Sequence, residues 1–220
     1  VRAQCPFRRC GPHIRACSGP RAEPAVVPLW LSLTWTVVVI GILIVYWFRY
    51  GPANYLWFSD IALIGSVVAL WLESDLLAST MLIGSLLPEL LWNASLVSRL
   101  LLGLRITGIV DYMFEPERPL HLKLLSLFHI PMPLILVWLV WVLGYDPRAL
   151  LIMTAICWIA LPLTRAITDP YRNINWVHGP GGEGVRQSTL HPQAWIALLM
   201  VALPVGVYLP THWLLLYLFA

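Results

Sequence analysis

Four polar residues interrupt long apolar stretches of the sequence, and three of them can gain or lose a proton. Asp60, Glu89 and His129 are ionisable, whereas Asn93 offers an amide. Asn93 follows Glu89 by four residues, so a helix would place both side chains on one side. Ionisable groups inside a membrane are costly and usually face a cavity or one another. The set therefore predicts a buried polar site, in which these residues could relay protons or bind a cation.

Each of these residues also has a structural interpretation. Glu89 could bond backbone donors that a kink at the preceding proline frees, and Asp60 could act as a helix-start acid beside Ser59. His129 could hydrogen-bond a neighbouring helix, and Asn93 could link two helices. The remaining alternatives are ion pairs, of Asp60 with Arg49 and of Glu89 with Arg99 or Arg105.

A second polar region is the stretch 168–184 (TDPYRNINWVHGPGGEG), which lies between two hydrophobic segments. Arg172, Asn173, Asn175 and His178 are interleaved there with aromatic residues. Arginine can bind phosphate with two parallel hydrogen bonds, and aromatic rings prefer headgroup depth. The stretch therefore suits a loop that grips a lipid headgroup. Plain turn punctuation after a membrane span is the alternative, and GPGG lacks the strand and lysine of a nucleotide-binding loop.

The composition indicates that these residues belong to a membrane protein. The chain has 220 residues, of which 59% are hydrophobic and 11% are charged, against about 25% charged in ordinary soluble domains. Mean hydropathy is +0.76. A net charge of +3, spread over the loops, has no nucleic-acid footprint. We expect an all-α, polytopic transmembrane helix bundle that lies in contact with membrane lipids and binds no nucleic acid.

Stretches of about 20 apolar residues predict the membrane spans. Six are found, at residues 29–48, 56–72, 76–97, 122–144, 149–167 and 195–218. Residues 28–220 would thus form one transmembrane domain. Arg99, Arg105 and Asp111 interrupt the segment 98–119, so we expect an interfacial or re-entrant helix followed by a loop. A seventh span in this segment is the alternative.

With six spans, the first, third and fifth connections share one side of the membrane, called face A here. Almost all basic residues after residue 27 lie on this side. They are Arg49, Arg99, Arg105, Arg118, Lys123, Arg165, Arg172 and Arg186, whereas the other side has Arg148. The positive-inside rule therefore predicts a cytoplasmic face A in a bacterial inner membrane. An arginine-rich stretch before residue 27 favours the opposite orientation.

The six-span order also predicts that the polar residues converge. Asp60 lies near the start of span two, Glu89 and Asn93 near the end of span three, and His129 near the start of span four. All of these positions, and the loop 168–184, fall in the half of the membrane next to face A. A seventh span would break this arrangement.

Three of the four cysteines are crowded into the first 17 residues. Cys5, Cys10 and Cys17 could form a metal knuckle with His13, but their spacing matches no common zinc pattern. We predict no metal and no cofactor. Residues 1–27 are expected to be a disordered tail, or to precede a true start near Val26. Cys157 lies in an apolar span and is expected to serve packing.

Several segments resemble a family of uncharacterised bacterial multi-pass membrane proteins. They are NYLWFSDIALI, GSLLPELLWNASL, DYMF, LSLFHIPMPLILVWLVWVLGYDPRA and DPYRNINWVHGPG. The order of features is more remotely similar to YwaF-like integral membrane proteins, some relatives of which are described as intramembrane acyltransferases or lipid hydrolases. That resemblance implies His129 as the base. It also implies a nucleophile near Ser59, where this chain has Ser-Asp instead of Cys.

The leading hypothesis is a lipid-site hydrolase or acyltransferase with a polar pocket open to face A. In it, His129 is the base, Ser59 the nucleophile and Asp60 an alternative orienting group. Substrate binding is assigned to Glu89, Asn93, Arg172, Asn173, Asn175 and His178. Two alternatives are a small transporter that moves protons or ions, and a non-catalytic membrane assembly subunit.

Overall fold

The computed structural model describes residues 26–219, and every regular element in that range is helical. The α-helices are α1 (Leu29–Tyr50), α2 (Phe58–Leu72), α3 (Asp75–Leu102), α4 (Leu120–Leu125), α5 (Pro131–Leu143), α6 (Ala149–Ile167), α7 (Pro192–Leu203) and α8 (Leu209–Phe219). The predicted tail, apart from residues 26 and 27, lies outside the described residues, as do Cys5, Cys10, Cys17 and His13.

Five helical segments are long and apolar enough to cross a membrane. They are Leu29–Tyr50, Asp75–Leu102, Leu120–Leu143, Ala149–Ile167 and Pro192–Phe219, and α2 is a shorter apolar helix of 15 residues. Helices α4 and α5 form one of these segments, joined by the 3₁₀ turn Ser126–His129. Helices α7 and α8 form another, joined by the π-helical turn Pro204–Tyr208. The predicted helix bundle is confirmed, and the chain is a multi-pass membrane protein.

The segment 98–119 differs from its prediction. Helix α3 continues to Leu102 and ends at Gly103, whose φ of +68° lies in the left-handed region that favours glycine. A loop with the 3₁₀ turn Asp111–Phe114 follows, so this segment contains neither a seventh span nor a separate interfacial or re-entrant helix. Arg99 and Arg105 both pair with Asp111, which folds the loop back onto the end of α3.

Helix α3 is the centre of the bundle and packs against α2, α5, α6 and α8. Small residues permit the closest approaches. A Cβ atom at Gly84 would lie 2.6 Å from Sδ of Met153 on α6, and one at Gly65 would lie 2.3 Å from Sδ of Met81. The interior between these helices is filled by fully buried leucine, isoleucine and methionine side chains.

Contacts between the connections establish which helix ends share a side. Tyr50, at the end of α1, receives hydrogen bonds from Arg118 of the third connection and Arg172 of the fifth. On the other side, the backbone N–H of Val27 donates to Glu73, and Tyr145 contacts His212. The first, third and fifth connections therefore meet on face A, as the six-span arrangement requires.

Candidate functional site

A buried carboxylate and a histidine from different helical segments form the centre of the site. Glu89 of α3 is 2% exposed, and its Oε2 lies 2.6 Å from Nδ1 of His129. In the neutral tautomer with the proton on Nδ1, this nitrogen donates the hydrogen bond to Glu89, and Nε2 keeps its lone pair. Among residues 26–219, no hydrogen bond joins Nε2 of His129 to another residue, and the histidine side chain keeps 13% of its surface exposed. The arrangement leaves a basic nitrogen free.

The imidazole of His129 is held between two aromatic rings. The ring of Trp92 stacks on it with the centroids 4.5 Å apart, and the ring of Phe128 with the centroids 4.1 Å apart. Because these rings and Glu89 restrain the imidazole from several directions, its orientation is fixed before any ligand arrives.

Prolines explain why the chain bends at His129 and why Asn93 is needed there. Pro131 has no N–H for the carbonyl of Leu127, which instead accepts from Ile130 N in a 3₁₀ turn. Pro133 likewise leaves the His129 carbonyl without its helical donor. The side-chain amide of Asn93 donates to that carbonyl at 2.7 Å and to the Glu89 carbonyl at 2.8 Å. Asn93 thus fixes the backbone on both sides of the Glu89–His129 pair.

Asp60 is 2% exposed, in the first turn of α2. It accepts a hydrogen bond of 2.7 Å from Asn54, whose Oδ1 in turn accepts from Arg172 at 2.8 Å. It is therefore linked to Arg172 through Asn54, and the alternative pairing with Arg49 is not found.

Ser59, the predicted nucleophile, is half-buried at the start of α2. Within the described chain, its hydroxyl makes no hydrogen bond to His129, Glu89 or Asp60. The structure thus brings Glu89, Asn93 and His129 together, whereas no hydrogen bond joins Asp60 or Ser59 to them.

Two asparagines of the loop 168–184 point into the protein, in contrast to the predicted headgroup grip. Asn173 donates to the carbonyls of Gly179 and Gly181 and accepts from His178 N, which closes the loop. Asn175 accepts from the N–H of Phe58 and donates to the carbonyl of Leu56, so it caps the start of α2. Both residues have positive φ, which asparagine tolerates better than most residues. The loop positions α2, and these two amides are occupied internally.

The other two predicted loop residues are also engaged within the protein. Arg172 donates to the Tyr50 carbonyl at 2.6 Å and to Asn54. His178 Nδ1 lies 3.2 Å from Nη1 of Arg165. Burial lowers the pKa of His178, and the nearby positive charges of Arg165 and Arg186 lower it further. A neutral His178 with Nδ1 as acceptor is the form that suits this contact.

Several polar residues near the site have no strong sequence signal. The hydroxyls of Tyr46 and Ser126 lie 3.5 Å apart, and Trp92 Nε1 donates to the hydroxyl of Tyr112 at 3.2 Å. Burial raises the pKa of Tyr112 to about 12, so its hydroxyl stays protonated. Asn54 is the most important residue that the sequence does not indicate, because its partner Arg172 is 118 positions away.

An apolar groove opens to the lipid beside the site. It has a volume of about 580 Å³ and lies between α1 and the segment from α4 to the start of α5. Phe128, which stacks on His129, is one of its walls. Across residues 26–219, no group of three or more His, Cys, Asp or Glu side chains is arranged to hold a metal ion.

A functional assignment has to rest on the geometry of this site, because comparison with known proteins finds no match. No protein-family model, curated protein or solved structure matches the chain.

Proposed function

We propose that the protein is an integral membrane enzyme that hydrolyses or transfers an acyl group of a membrane lipid, with His129 as general base. The observation that carries this proposal is the Glu89–His129 pair, in which Nδ1 is bound to a buried carboxyl group and Nε2 makes no hydrogen bond within the described chain. Hydrolases that activate a hydroxyl use the same division of roles between the two ring nitrogens. The Glu89–His129 pair lies in the membrane next to an apolar groove, which favours a lipid as the substrate.

The chemistry follows from the free Nε2 atom. Nε2 takes the proton of an attacking hydroxyl while that oxygen bonds to the ester carbonyl carbon, and Glu89 stabilises the imidazolium that forms. The bond from the carbonyl carbon to the leaving oxygen then breaks, and the imidazolium returns the proton to this oxygen. Attack by water gives hydrolysis, and attack by a second lipid hydroxyl gives transfer. Because Ser59 makes no hydrogen bond to His129, we assign the attacking hydroxyl to water or a lipid.

The test is turnover of phospholipid with radiolabelled acyl chains by protein reconstituted in nanodiscs. His129→Gln and Glu89→Gln are expected to lower the rate about 100-fold or more, because general-base catalysis contributes about that much. His121→Gln, which changes an exposed histidine at the start of α4, is the matched control. Full activity of a folded His129→Gln variant would overturn the proposal. Loss of activity in Ser59→Ala would instead assign the attacking hydroxyl to Ser59.

A second candidate function is proton or cation transport, and the burial of two carboxyl groups in the membrane favours it. Asp60 and Glu89 are each 2% exposed. Transporters place such groups at a central site reached from both sides, whereas the middle of this bundle is filled by buried apolar side chains such as Leu82 and Leu136. Proton flux into sealed vesicles that is lost in Asp60→Asn but kept in His121→Gln would support transport over acyl transfer.

We further propose that face A lies in the cytoplasm of a bacterial cell, with the protein in the inner membrane. Basic residues concentrate on face A, and the positive-inside rule applies to short connections of this kind.

A further inference from the structure

The groove beside His129 has two walls that do not pack against each other. Val37, Val38, Gly41 and Ile42 of α1 form one wall, and the stretch from Leu124 to Pro131 contributes the other. Helix α1 packs mainly against α2, so the space between α1 and α5 stays open towards the lipid. Val37 is 72% exposed, as expected for a wall that faces hydrocarbon.

The groove also leads to the catalytic base. Phe128 lines it and stacks on the imidazole of His129, and the neighbouring Ile130 is a further wall residue. Towards face A, the wall of α1 continues one turn beyond Ile42 to Tyr46, whose hydroxyl faces Ser126. The groove is thus apolar along its length, and polar groups begin at its face A end.

The charge at that end indicates which lipid the groove suits. Arg49 lies about two turns beyond the wall residue Ile42 on α1, and Lys123 lies one residue before the wall residue Leu124, whereas Arg118 on the same face is paired with Glu115. A lipid with a negatively charged headgroup would find these cations at the membrane surface, where each basic residue attracts anionic lipid. Its chain would then extend from face A past Phe128.

We propose that this groove holds one acyl chain of an anionic glycerophospholipid, with the headgroup at face A and the ester near His129. This inference rests on the proposed function, since it names the substrate of the same site. The groove is the path by which the chain enters from the bilayer.

The structure offers a substitution that fills the groove without disturbing the fold. A Cβ atom at Gly41 would meet nothing within 4 Å, and the same holds at Gly206 in the π-helical turn of the last span. Gly41→Phe should therefore obstruct the groove. Gly206→Phe adds the same bulk at a lipid-exposed glycine elsewhere in the protein.

The experiment uses phosphatidylglycerol with a diazirine on one acyl chain, crosslinked to the protein in nanodiscs and mapped by mass spectrometry. We expect crosslinks at residues 37–42 and 124–131, lowered about tenfold by Gly41→Phe and unchanged by Gly206→Phe; changes of one methylene in an apolar pocket already give differences of this size. Phosphatidylcholine should compete poorly. Labelling that is unchanged in Gly41→Phe, or equal competition by phosphatidylcholine, would overturn the inference.

Binding and turnover are measured separately, so the two proposals can fail independently. Groove labelling without any turnover would reject the enzyme and retain the lipid site. Turnover that persists in Gly41→Phe with the groove labelling lost would reject the groove as the substrate path and retain His129 as the base.

Discussion

At the scale of single residues, His129 is distinguished by how many of its atoms have partners within the protein. Nδ1 is bound to Glu89, the ring faces Trp92 and Phe128, and the backbone carbonyl is bound by Asn93. A histidine that only linked helices would have no need of so many restraints together with a free Nε2. The number of partners that hold the residue in place is therefore the strongest structural argument for a chemical role.

Asn93 is expected to contribute measurably to this restraint. Asn93→Ala would leave the His129 carbonyl without a donor, because Pro133 cannot supply one. We expect a loss of about 1 kcal/mol in the free energy of unfolding, the usual size of a hydrogen bond between membrane helices. Chemical denaturation in detergent micelles measures it. Ser98→Ala, on the same helix, is the control, and equal stability of the two variants would contradict the assignment.

The histidine of the fifth connection predicts a pH effect. The pKa of His178 is lowered in the folded protein by burial and by Arg165 and Arg186. The unfolded chain, with a pKa of about 6.5, therefore binds a proton first as the pH falls, so stability declines below about pH 6.5. The protection factors of residues 172–187 in hydrogen exchange, which correct for the pH dependence of the intrinsic rate, should fall between pH 7 and pH 5. His178→Gln should weaken this response, and His121→Gln should leave it intact.

The site could be predicted in part from the sequence. Glu89, Asn93 and His129 stand out because polar groups are rare in membrane spans, and helix order alone brings them to one face. The direction of the loop amides could not be predicted, since it depends on the positive φ of Asn173 and Asn175. The Asn54–Arg172 contact joins two connections that are far apart in the sequence, so only the folded chain reveals it.

At the scale of helices, two prolines each leave a backbone carbonyl without its N–H donor. In both cases a side chain from a neighbouring helix donates to that carbonyl instead. Pro204 removes the N–H that would bind the Met200 carbonyl, and Trp158 Nε1 of α6 donates to this carbonyl at 2.8 Å. Asn93 does the same for the carbonyl that Pro133 leaves free. Each unpaired backbone group would be costly in lipid. The bends in the fourth and sixth spans are therefore stabilised from outside the helix that contains them.

A double-mutant cycle tests this relation in the last span. Trp158→Phe alone should cost about 1 kcal/mol of stability, because the Met200 carbonyl loses its donor. In a Pro204→Ala background, the new N–H at residue 204 can bind that carbonyl, so the same change should cost less. Denaturation of the four proteins in detergent gives the coupling energy. Additive effects would show that Trp158 contributes only packing.

At the scale of the whole molecule, the order of the spans could be predicted well because bilayer thickness limits helix length. The predicted fifth span, residues 149–167, has the observed bounds of α6. The end of the third span is predicted less accurately, since the arginines after residue 97 indicate a membrane boundary. In the structure α3 continues to Leu102, and Arg99 is neutralised by Asp111. A charged residue therefore does not by itself end a helix when an oppositely charged partner lies in the next loop.

The distribution of basic residues predicts the orientation of the whole molecule. We expect face A to be cytoplasmic, because the opposite side of the described chain has Arg148 alone, and this residue is paired with Asp146. The sequence before residue 26 contains five arginines, which favour the opposite orientation. These arginines compete with the basic residues of face A. The connections between the spans flank every helix pair, so their basic residues should determine the orientation.

Cysteine accessibility in intact cells tests the orientation. Glu183→Cys lies in the exposed part of the loop on face A, and Asp75→Cys lies on the opposite side; Cys5, Cys10 and Cys17 are replaced by serine in both. A membrane-impermeant maleimide should label Asp75→Cys in intact spheroplasts and label Glu183→Cys only after lysis. The same pattern is expected when residues 1–25 are deleted, because the connections then act without competition. Labelling of Glu183→Cys in intact spheroplasts would place face A outside the cytoplasm. If the labelling pattern reverses only in the deletion variant, the arginines before residue 26 set the orientation.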